Sequence, residues 1–372
     1  MNLIKISIIG TVGVPAKYGG FETLTEYLTL YLGLDYDFTV YCTSRSYINK
    51  SKKHNNAKLS YINLKANGVQ SIPYDIISIF KSLRNSDVLL ILGVSGCIVL
   101  PIVKLISRNK VIVNIDGLEW KRNKWGRLAK RFLKFSEKIA VKYADEIITD
   151  NKAITNYVKK EYGFNSNLIA YGADHVGNES IDDEIIDTYP FVKNDYAFKV
   201  CRIEPENNIH IILSAFSSVS DKKIVIVGNW CNSKYGKNLK ENYGFHKNII
   251  LLDPIYNQKT LNQLRSNCSV YIHGHSAGGT NPSLVEAMFL KLPIFAYDVE
   301  YNRETTTNKA RFFNSSEELK NLLKNTKKIE LDGLGKTLYG IAKRNYTWEE
   351  IARKYSKLFL KKTHERNHIS RR

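Results

Sequence analysis

The residue types best suited to chemistry lie in one stretch, residues 273–287, which reads HGHSAGGTNPSLVEA. Asn281 is a good N-cap and the proline after it suits a first helical position, so a helix is expected to begin there. The amides of Ser283 and Leu284 would then point out of the helix start, where a diphosphate fits. One turn later, Glu286 is placed to accept two hydrogen bonds from a ribose diol. The stretch predicts a site for a nucleoside diphosphate.

A second candidate loop, residues 201–208, reads CRIEPENN. An arginine at the end of a strand offers a two-pronged donor for phosphate oxygens that lysine does not match. We therefore expect Arg202 to bind the diphosphate. The alternative is a surface ion pair with Glu204 or Glu206, which would contribute little to stability.

A third candidate, residues 10–22, reads GTVGVPAKYGGFE and joins an apolar run to a helical pattern. Glycines in that position let backbone amides approach a bound group, and the helix N-terminus favours an anion. The spacing departs from the GxGxxG fingerprint, which disfavours a dinucleotide-dependent oxidoreductase. Glu22 is either an acceptor-side residue or an ordinary carboxylate in a first helical turn.

In each half of the chain, short apolar runs alternate with helical patterns, and the three loops fall between them. This alternation predicts two doubly wound parallel sheets. The predicted strands of the first half are Lys5–Gly10, Phe38–Cys42, Leu59–Leu64, Val88–Leu92, Lys110–Ile115 and Glu146–Thr149. Those of the second half are Phe198–Arg202, Lys223–Val227, Ile249–Leu252, Ser269–His273 and Leu292–Ala296. Ligands bind beyond the carboxyl ends of such strands, where all three loops fall.

The domain boundaries follow from this series. We expect an N-terminal domain at 1–175, a C-terminal domain at 195–345, a terminal helix at 346–364 and a basic tail at 365–372. The acidic, turn-rich stretch 172–196 between the domains is the natural place for a linker. Asp116, just past a first-domain strand, is either an N-cap or a group that orients or deprotonates an acceptor hydroxyl.

Composition excludes several classes of protein. The chain has 372 residues, 43% of them hydrophobic, and its five cysteines form no CxxC pair, so neither disorder nor a structural zinc site is expected. Residues 88–103 are uncharged but short and broken by glycine and proline, which favours a buried strand over a membrane span. The net charge of +19 suits nucleic acid, anionic lipid or a phosphorylated small molecule. The basic, aromatic segment 120–138 reads as an amphipathic helix, either a solvated face or a membrane-surface element.

At these motifs the chain resembles the retaining glycosyltransferases of family 4. RIEPENN and NPSLVEAM look like that family's two donor motifs, and the resemblance extends over nearly the whole chain. GTVGVPAKYGGFE, DGLEWKRNKWG at 116–126 and HGHSAGGTNPSLVEA resemble more narrowly the bacterial rhamnosyltransferase-like branch, which acts in capsule and O-antigen assembly. The resemblance implies an α/β GT-B fold, with two facing Rossmann-like domains and a C-terminal helix crossing back to the first.

The resemblance also implies roles for individual residues. Arg202 would bind the donor diphosphate, Glu286 the ribose, and residues 275–281 would line the donor sugar site. The implied donor-binding set is Gly13, Arg202, Asn207, Gly278, Gly279, Thr280, Asn281, Ser283, Leu284 and Glu286. The acceptor-side set is Lys17, Tyr18, Gly19, Gly20, Glu22 and Glu119, and the catalytic set is Asp116, His275 and Glu286. No metal or cofactor is expected.

Two positions depart from the family pattern. Asn207 stands where a lysine is usual, so Lys17 or the helix terminus would have to help neutralise the phosphates. Gly278 stands eight residues before Glu286, where the family usually has a first glutamate that recognises the sugar.

The expected function is transfer of a sugar from a nucleotide-diphosphate donor to a lipid-linked saccharide. The best guess by resemblance is L-rhamnose from dTDP-rhamnose, followed by UDP-linked hexoses. The expected location is cytoplasmic, on the anionic inner face of the plasma membrane, with no nucleic acid as partner. A sugar-nucleotide epimerase and a non-catalytic basic membrane-binding or nucleic-acid-binding protein remain alternatives.

Overall fold

The computed structural model describes residues 3–17, 19–121 and 125–361. These form two compact units: unit 1 runs to Ala170 and resumes at Trp348, and unit 2 is Tyr171–Thr347. Tyr18, residues 122–124 of the basic segment and the predicted tail at 365–372 lie outside the described residues.

Unit 1 is built on a sheet whose strands are mostly apolar and buried. The strands are β1 (Lys5–Ile9), β2 (Asp37–Thr43), β3 (Lys53–His54), β4 (Ala57–Ile62), β5 (Val88–Leu92), β6 (Lys110–Ile115), β7 (Glu146–Thr149) and β8 (Asn167–Leu168). The helices are α1 (Gly20–Leu32), α2 (Ser71–Ser82), α3 (Leu100–Ile106), α4 (Arg127–Tyr143) and α5 (Lys152–Tyr162). Near-continuous β-branched runs are typical of strands covered by helices on both faces.

The strand order in unit 1 is β3-β4-β2-β1-β5-β6-β7-β8, and every pair is parallel except β3–β4. The chain moves from β1 to β2 in one direction and from β4 to β5 in the other. The direction therefore reverses between β1 and β5, which creates a crevice at the carboxyl ends of these two strands.

Unit 2 repeats this architecture. Its strands are β9 (Ala197–Val200), β10 (Ile224–Val227), β11 (Ile249–Leu252), β12 (Val270–His273), β13 (Ile294–Tyr297) and β14 (Arg311–Phe313). Its helices are α6 (Asp183–Thr188), α7 (Ile209–Ser217), α8 (Lys234–Tyr243), α9 (Gln258–Ser266), α10 (Pro282–Phe289), α11 (Glu300–Thr305), α12 (Ser316–Asn325) and α13 (Lys328–Asn345). The all-parallel order β11-β10-β9-β12-β13-β14 reverses between β9 and β12.

The last helix of the chain, α14 (Trp348–Leu360), packs in unit 1. Trp348 stacks on Tyr27 of α1 with ring centroids 4.6 Å apart. Asn114 of β6 donates a hydrogen bond to the hydroxyl of Tyr355 at 2.8 Å. The predicted return of a C-terminal helix to the first domain is confirmed.

The predicted linker at 172–196 is wrong. Within it, α6 is a regular helix capped by Asp182, whose carboxylate accepts the Ile185 N–H at 3.1 Å and the Gln263 side-chain amide at 2.9 Å. Acidic residues at a helix start stabilise its N-terminus. The acidic residues that suggested a linker are therefore those that cap and begin α6. The segment is packed into unit 2.

None of the helices within the described ranges has the length and apolar character needed to span a bilayer. Residues 88–103 instead form β5, a turn and the first half of α3, as predicted.

Candidate active site

Two loops of unit 2 meet where the strand order reverses, the loop after β9 and the loop after β12. His275 Nδ1 lies 3.2 Å from the side-chain oxygen of Asn207. Asn208 donates its side-chain amide to the carbonyl of Gly274 at 2.9 Å. The Ser276 N–H donates to the carbonyl of Glu206 at 2.8 Å. The sheet topology therefore brings together the two motifs that the sequence singles out as donor-binding.

The start of α10 has the predicted cap, but the cap uses the amides expected to bind phosphate. The Asn281 side chain accepts the Ser283 N–H at 3.1 Å, and its carbonyl accepts the Leu284 N–H at 3.0 Å. Ser283 and Leu284 are therefore not the free donors that were predicted. A side-chain cap satisfies the orphan amides of a helix start, which is why a good N-cap competes with a ligand.

In the loop just before that helix, the amides of Gly278, Gly279 and Asn281 have no acceptor among the described residues. Gly278 has φ of +97°, a conformation that L side chains rarely adopt. Successive amide groups on a glycine turn beside a helix start form a concave site for an anion. The amides still open to an anion in this stretch are therefore those of the loop and not those of the helix start.

Glu286 lies one turn inside α10 and is ionised by its surroundings. Its Oε2 accepts a hydrogen bond from the Arg265 guanidinium, and its Oε1 lies 3.3 Å from His175 Nε2. Burial alone would raise the pKa of the Glu286 carboxyl, but Arg265 and His175 lower it to about 2. Each oxygen of a carboxylate accepts more than one hydrogen bond, so Glu286 can still accept from sugar hydroxyls.

Arg265 is the buried partner that fixes this carboxylate. Its side chain is 1% exposed, and its second terminal nitrogen donates to the Asn262 side-chain oxygen at 2.9 Å. Sequence reasoning missed both Arg265 and His175. Arg265 belongs to the helical pattern of α9, and His175 falls at the edge of the stretch assigned to a linker, so neither carries a local motif.

Arg202 follows β9 with a half-exposed guanidinium. Its Nε is 3.9 Å from Glu204 Oε2, a separation too long for a hydrogen bond and typical of a weak surface pair. The buried Asn207 donates its side-chain amide to the Arg202 carbonyl at 2.9 Å. Asn207, in the position where the resembled family has a lysine, thus braces the loop that carries Arg202.

The glycine loop of unit 1 differs from this arrangement, because carboxylates of α1 take its amides. Glu22 accepts the Val12 N–H at 2.8 Å, and Glu26 accepts the Ala16 N–H at 2.9 Å. The Gly13 N–H donates to the Thr11 hydroxyl at 3.3 Å. These contacts give no support to the predicted role of Gly13 in phosphate binding, and they give Glu22 a structural role in the loop.

Gly13 has a packing reason to be glycine. An added Cβ would lie 2.6 Å from the sulfur of Cys42, and φ is +130°. Lys17, which was expected to help neutralise phosphate, donates to the Ser46 carbonyl at 2.5 Å and lies over the Tyr47 ring. Gly19 and Gly20 form the start of α1.

Asp116 directly follows β6 and is half-buried. Beyond it, Glu119 opens a short 3-10 turn and accepts the indole N–H of Trp125 at 2.9 Å. Both residues lie past the carboxyl end of a strand, where the sequence places an acceptor. Their predicted roles stay predictions.

The basic segment forms the helix α4, but the helix spans Arg127–Tyr143 and not the predicted 120–138, and part of its charge faces the protein. Lys134 Nζ lies 4.6–5.0 Å from the ring centroids of Trp120, Tyr157 and Tyr162 and 2.8 Å from Glu161. Aromatic faces and a carboxylate together hold the ammonium. Lys134 and Trp120 are therefore not part of an open solvated or membrane-facing stripe.

A buried acid beside the crevice of unit 1 was also missed. Asp75 of α2 is 2% exposed and accepts a hydrogen bond from Ser95, which follows β5, at 2.8 Å, while its Oδ1 has no partner. Burial raises the pKa of the Asp75 carboxyl to about 7, despite the Ser95 hydrogen bond. Among the described residues, no three or more His, Cys, Asp or Glu side chains come together as candidate metal ligands.

Family models match both halves of the chain. Residues 3–174 match a domain of unknown function, DUF1972, and residues 182–348 match glycosyl transferases group 1. The chain is a glycosyltransferase. The second match covers nearly all of unit 2 and includes both donor-side loops.

Solved structures of low sequence identity share the fold of this glycosyltransferase. Sucrose-phosphate synthase from Thermosynechococcus elongatus is 13% identical, with 96% of this chain and 98% of that chain covered and a TM-score of 0.80. Anabaena Alr3699/HepE in complex with UDP-glucose is 13% identical over 95% and 99%, with a TM-score of 0.74. A glycosyltransferase from Rickettsia africae is 14% identical over 96% and 98%, with a TM-score of 0.73.

These neighbours confirm the predicted GT-B class of α/β fold. No curated protein matches the chain.

Proposed function

We propose that this glycosyltransferase transfers L-rhamnose from dTDP-rhamnose, with retention of anomeric configuration, to a lipid-linked saccharide during assembly of a bacterial surface polysaccharide. The observation that carries the donor half of the proposal is the set of unsatisfied amides at Gly278, Gly279 and Asn281. Their loop contacts the loop of Arg202 through His275 and Asn207, and the ionised Glu286 follows one turn into α10. The choice of rhamnose and of the family 4 branch rests on the motif resemblance.

The proposed reaction breaks the bond between the sugar C1 and the β-phosphate oxygen and forms a bond from C1 to an acceptor oxygen. Negative charge grows on the departing phosphate, where loop amides and Arg202 stabilise it without needing to reorganise. Removal of one such donor typically lowers kcat by about 10²–10³-fold. His275 and Thr280 are proposed to contact the sugar ring.

Glu286 is proposed to accept hydrogen bonds from the pentose. Because Arg265 and His175 keep the carboxylate ionised, it presents only acceptors to the hydroxyl groups. UDP offers two pentose hydroxyls and dTDP offers one, so the same carboxylate serves either nucleotide with a different number of bonds.

The acceptor is proposed to bind at loops of unit 1. Asp116 would take the proton of the attacking hydroxyl. Glu119, in the short turn that follows it, and Gly20, at the start of α1, are assigned to the acceptor surface. Lys17 and Glu22 would shape that surface through the loop contacts described above.

A UDP-hexose is the second candidate donor. It is favoured by the solved structures of Anabaena Alr3699/HepE in complex with UDP-glucose and with UDP, which share the fold over almost the full chain.

The enzyme is proposed to work at the anionic cytoplasmic face of the plasma membrane. The exposed stripe of α4 alternates apolar and basic side chains, namely Leu128, Arg131, Phe135 and Lys138. Cations on an amphipathic helix attract anionic lipid, each by about 1 kcal/mol near the surface. Arg131→Gln/Lys138→Gln is expected to lower binding to phosphatidylglycerol vesicles and to leave binding to phosphatidylcholine vesicles unchanged.

The test of the donor is a panel of sugar nucleotides scored by thermal stabilisation and then by transfer. A ligand at a hundred times its dissociation constant adds about 2.7 kcal/mol to stability. We expect dTDP-rhamnose to stabilise the protein most. We also expect the product to keep the anomeric configuration of the donor, so that an α-configured donor gives an α-linked product and a β-configured donor gives a β-linked product. Stabilisation by a UDP-hexose alone would select the second candidate, and an inverted product would overturn retention.

A further inference from the structure

An apolar patch on two helices of unit 1 is open to solvent. The patch, called here the α2–α3 patch, consists of Ile77, Phe80, Ile102, Leu105 and Ile106. Leu105 is 86% exposed, Ile106 62% and Ile102 51%. On α3 these three stand at positions i, i+3 and i+4, which places them on one face of the helix.

The two helices of the patch border the same groove. Phe80, Leu83 and Arg84 of α2 and its following turn line a cavity of about 680 Å³ together with Ile106 and Arg108. Phe80 of α2 and Ile106 of α3 are therefore neighbours in space, and they join the exposed apolar faces of the two helices. Contiguous exposed apolar side chains, as opposed to single ones, mark an interaction site.

The same layer of helices carries the basic stripe of α4. The connections β4–α2–β5, β5–α3–β6 and β6–α4–β7 all step in the same direction across the sheet. Right-handed crossovers therefore put α2, α3 and α4 on one face of the sheet. The apolar patch and the cations of α4 belong to one side of unit 1.

The charge around the patch identifies its partner. Arg84 and Arg108 line the groove and Lys81 is exposed on α2, while the groove lining includes one carboxylate, Asp87. A second copy of this chain, with a net charge of +19, would bring the same cations together across the interface. An anionic lipid surface offers phosphates for the arginines and an apolar boundary for the five side chains.

We propose that the α2–α3 patch inserts into the headgroup region of an anionic bilayer, with Arg84 and Arg108 binding lipid phosphates at its edge. This inference deepens the proposed membrane location and rests on it. In this inference α2 and α3 insert into the bilayer, and the cations of α4 attract the anionic surface from a distance. Apolar side chains seated at the boundary of the acyl chains add binding energy that salt does not screen.

The test compares vesicle co-sedimentation of two double variants. Leu105→Ser/Ile106→Ser is expected to lower the partition onto phosphatidylglycerol–phosphatidylcholine vesicles by at least about tenfold. Leu34→Ser/Ile48→Ser makes the same change at residues that are 80% and 99% exposed elsewhere in unit 1, and is expected to bind like the wild type. Arg84→Gln/Arg108→Gln is expected to lose only the part of binding that depends on phosphatidylglycerol.

A second measurement reads insertion directly. The emission of Leu105→Trp is expected to be quenched by lipids brominated on their acyl chains, and that of Leu34→Trp is not. Equal binding of Leu105→Ser/Ile106→Ser and wild type, or equal quenching at both tryptophans, would overturn the inference while leaving α4 as the attachment. Wild-type protein that binds neither vesicle would overturn the membrane location as well.

Two controls separate this inference from its competitors. A wild-type dimer that becomes a monomer in Leu105→Ser/Ile106→Ser, with vesicle binding unchanged, would assign the patch to a second copy and overturn it. Thermal stabilisation by sugar nucleotides is expected to be the same in all these variants, because they leave unit 2 unchanged. If sugar nucleotides do not stabilise even the wild type, the result counts against the proposed donor and not against the proposed role of the α2–α3 patch.

Discussion

Each unit has a crevice where the strand order reverses, and each crevice has a glycine loop and a carboxyl side chain. The two crevices differ in whether the loop amides are free and whether the carboxyl group is ionised. In unit 1 the glycine loop after β1 has its amides bound by Glu22 and Glu26, while the nearby acid Asp75 is buried with one oxygen unpaired. In unit 2 the glycine loop after β12 keeps free amides, and its acid, Glu286, is ionised by Arg265. A loop whose amides already bind carboxylates has no donors left for a phosphate, whereas a loop with free amides can bind one.

The largest expected effect is at the buried pair in unit 2. Arg265→Met leaves the Glu286 carboxylate buried without its main partner, so the free energy of unfolding should fall by about 3–5 kcal/mol. The matched control is Arg303→Met, which breaks the exposed pair of Arg303 and Asp298 in the same unit and should cost far less, because solvent screens that pair. Urea unfolding measures both, and equal losses would contradict the account.

The acid of unit 1 should behave in the opposite way. The pKa of Asp75 is raised in the folded state from 3.8 to about 7, so its ionisation opposes folding as pH rises between these values. Asp75→Asn should therefore match the wild type near pH 4 and become more stable toward pH 7, by up to about 4 kcal/mol, since each pKa unit is worth 1.36 kcal/mol. A stability difference that does not change with pH would show that Asp75 is not the buried acid described.

The difference between the two glycine loops can be tested with one substitution in each. Gly278→Ala places a side chain at a positive φ among the free amides and should weaken nucleoside diphosphate binding by about tenfold or more. Gly13→Ala should lower stability, because its Cβ would meet Cys42, and should leave the affinity of the remaining folded protein unchanged. Calorimetric titration with dTDP and UDP distinguishes them, and the reverse pattern would place the phosphate at the loop of unit 1.

The smallest effect is expected at the cap of α10. Asn281→Ala should cost about 1 kcal/mol of stability and also weaken diphosphate binding, because it loosens the loop that presents the amides. Asn257→Ala removes the equivalent cap of α9, where Asn257 accepts the Thr260 N–H at 3.0 Å, and should cost a similar amount without changing affinity. Equal affinities of the two variants for the nucleoside diphosphate would show that the cap of α10 plays no part in binding it.

Periodicity was enough to predict the two sheets, because buried parallel strands are short apolar runs that a sequence shows directly. The strands Val88–Leu92, Lys110–Ile115, Glu146–Thr149 and Ile249–Leu252 have the predicted bounds. The positions of the donor loops followed from the rule that ligands bind at the carboxyl ends of strands.

The partners inside the site could not be predicted in this way. Arg265 reaches Glu286 from 21 residues earlier in the chain, and His175 reaches it from a segment farther still. No local pattern encodes such a contact. The prediction that the Ser283 and Leu284 amides are free was wrong for a different reason. A good N-cap marks the start of a helix, and the same residue accepts hydrogen bonds from the first amides of that helix.

The diphosphate of the donor is proposed to rest on the amides of Gly278 and Gly279, and a crystal structure of the protein soaked with dTDP or UDP would locate it. We expect phosphate oxygens within hydrogen-bonding distance of those amides and of Arg202, with a pentose hydroxyl on Glu286. An empty loop after β12, or a diphosphate bound instead at residues 10–20, would contradict it.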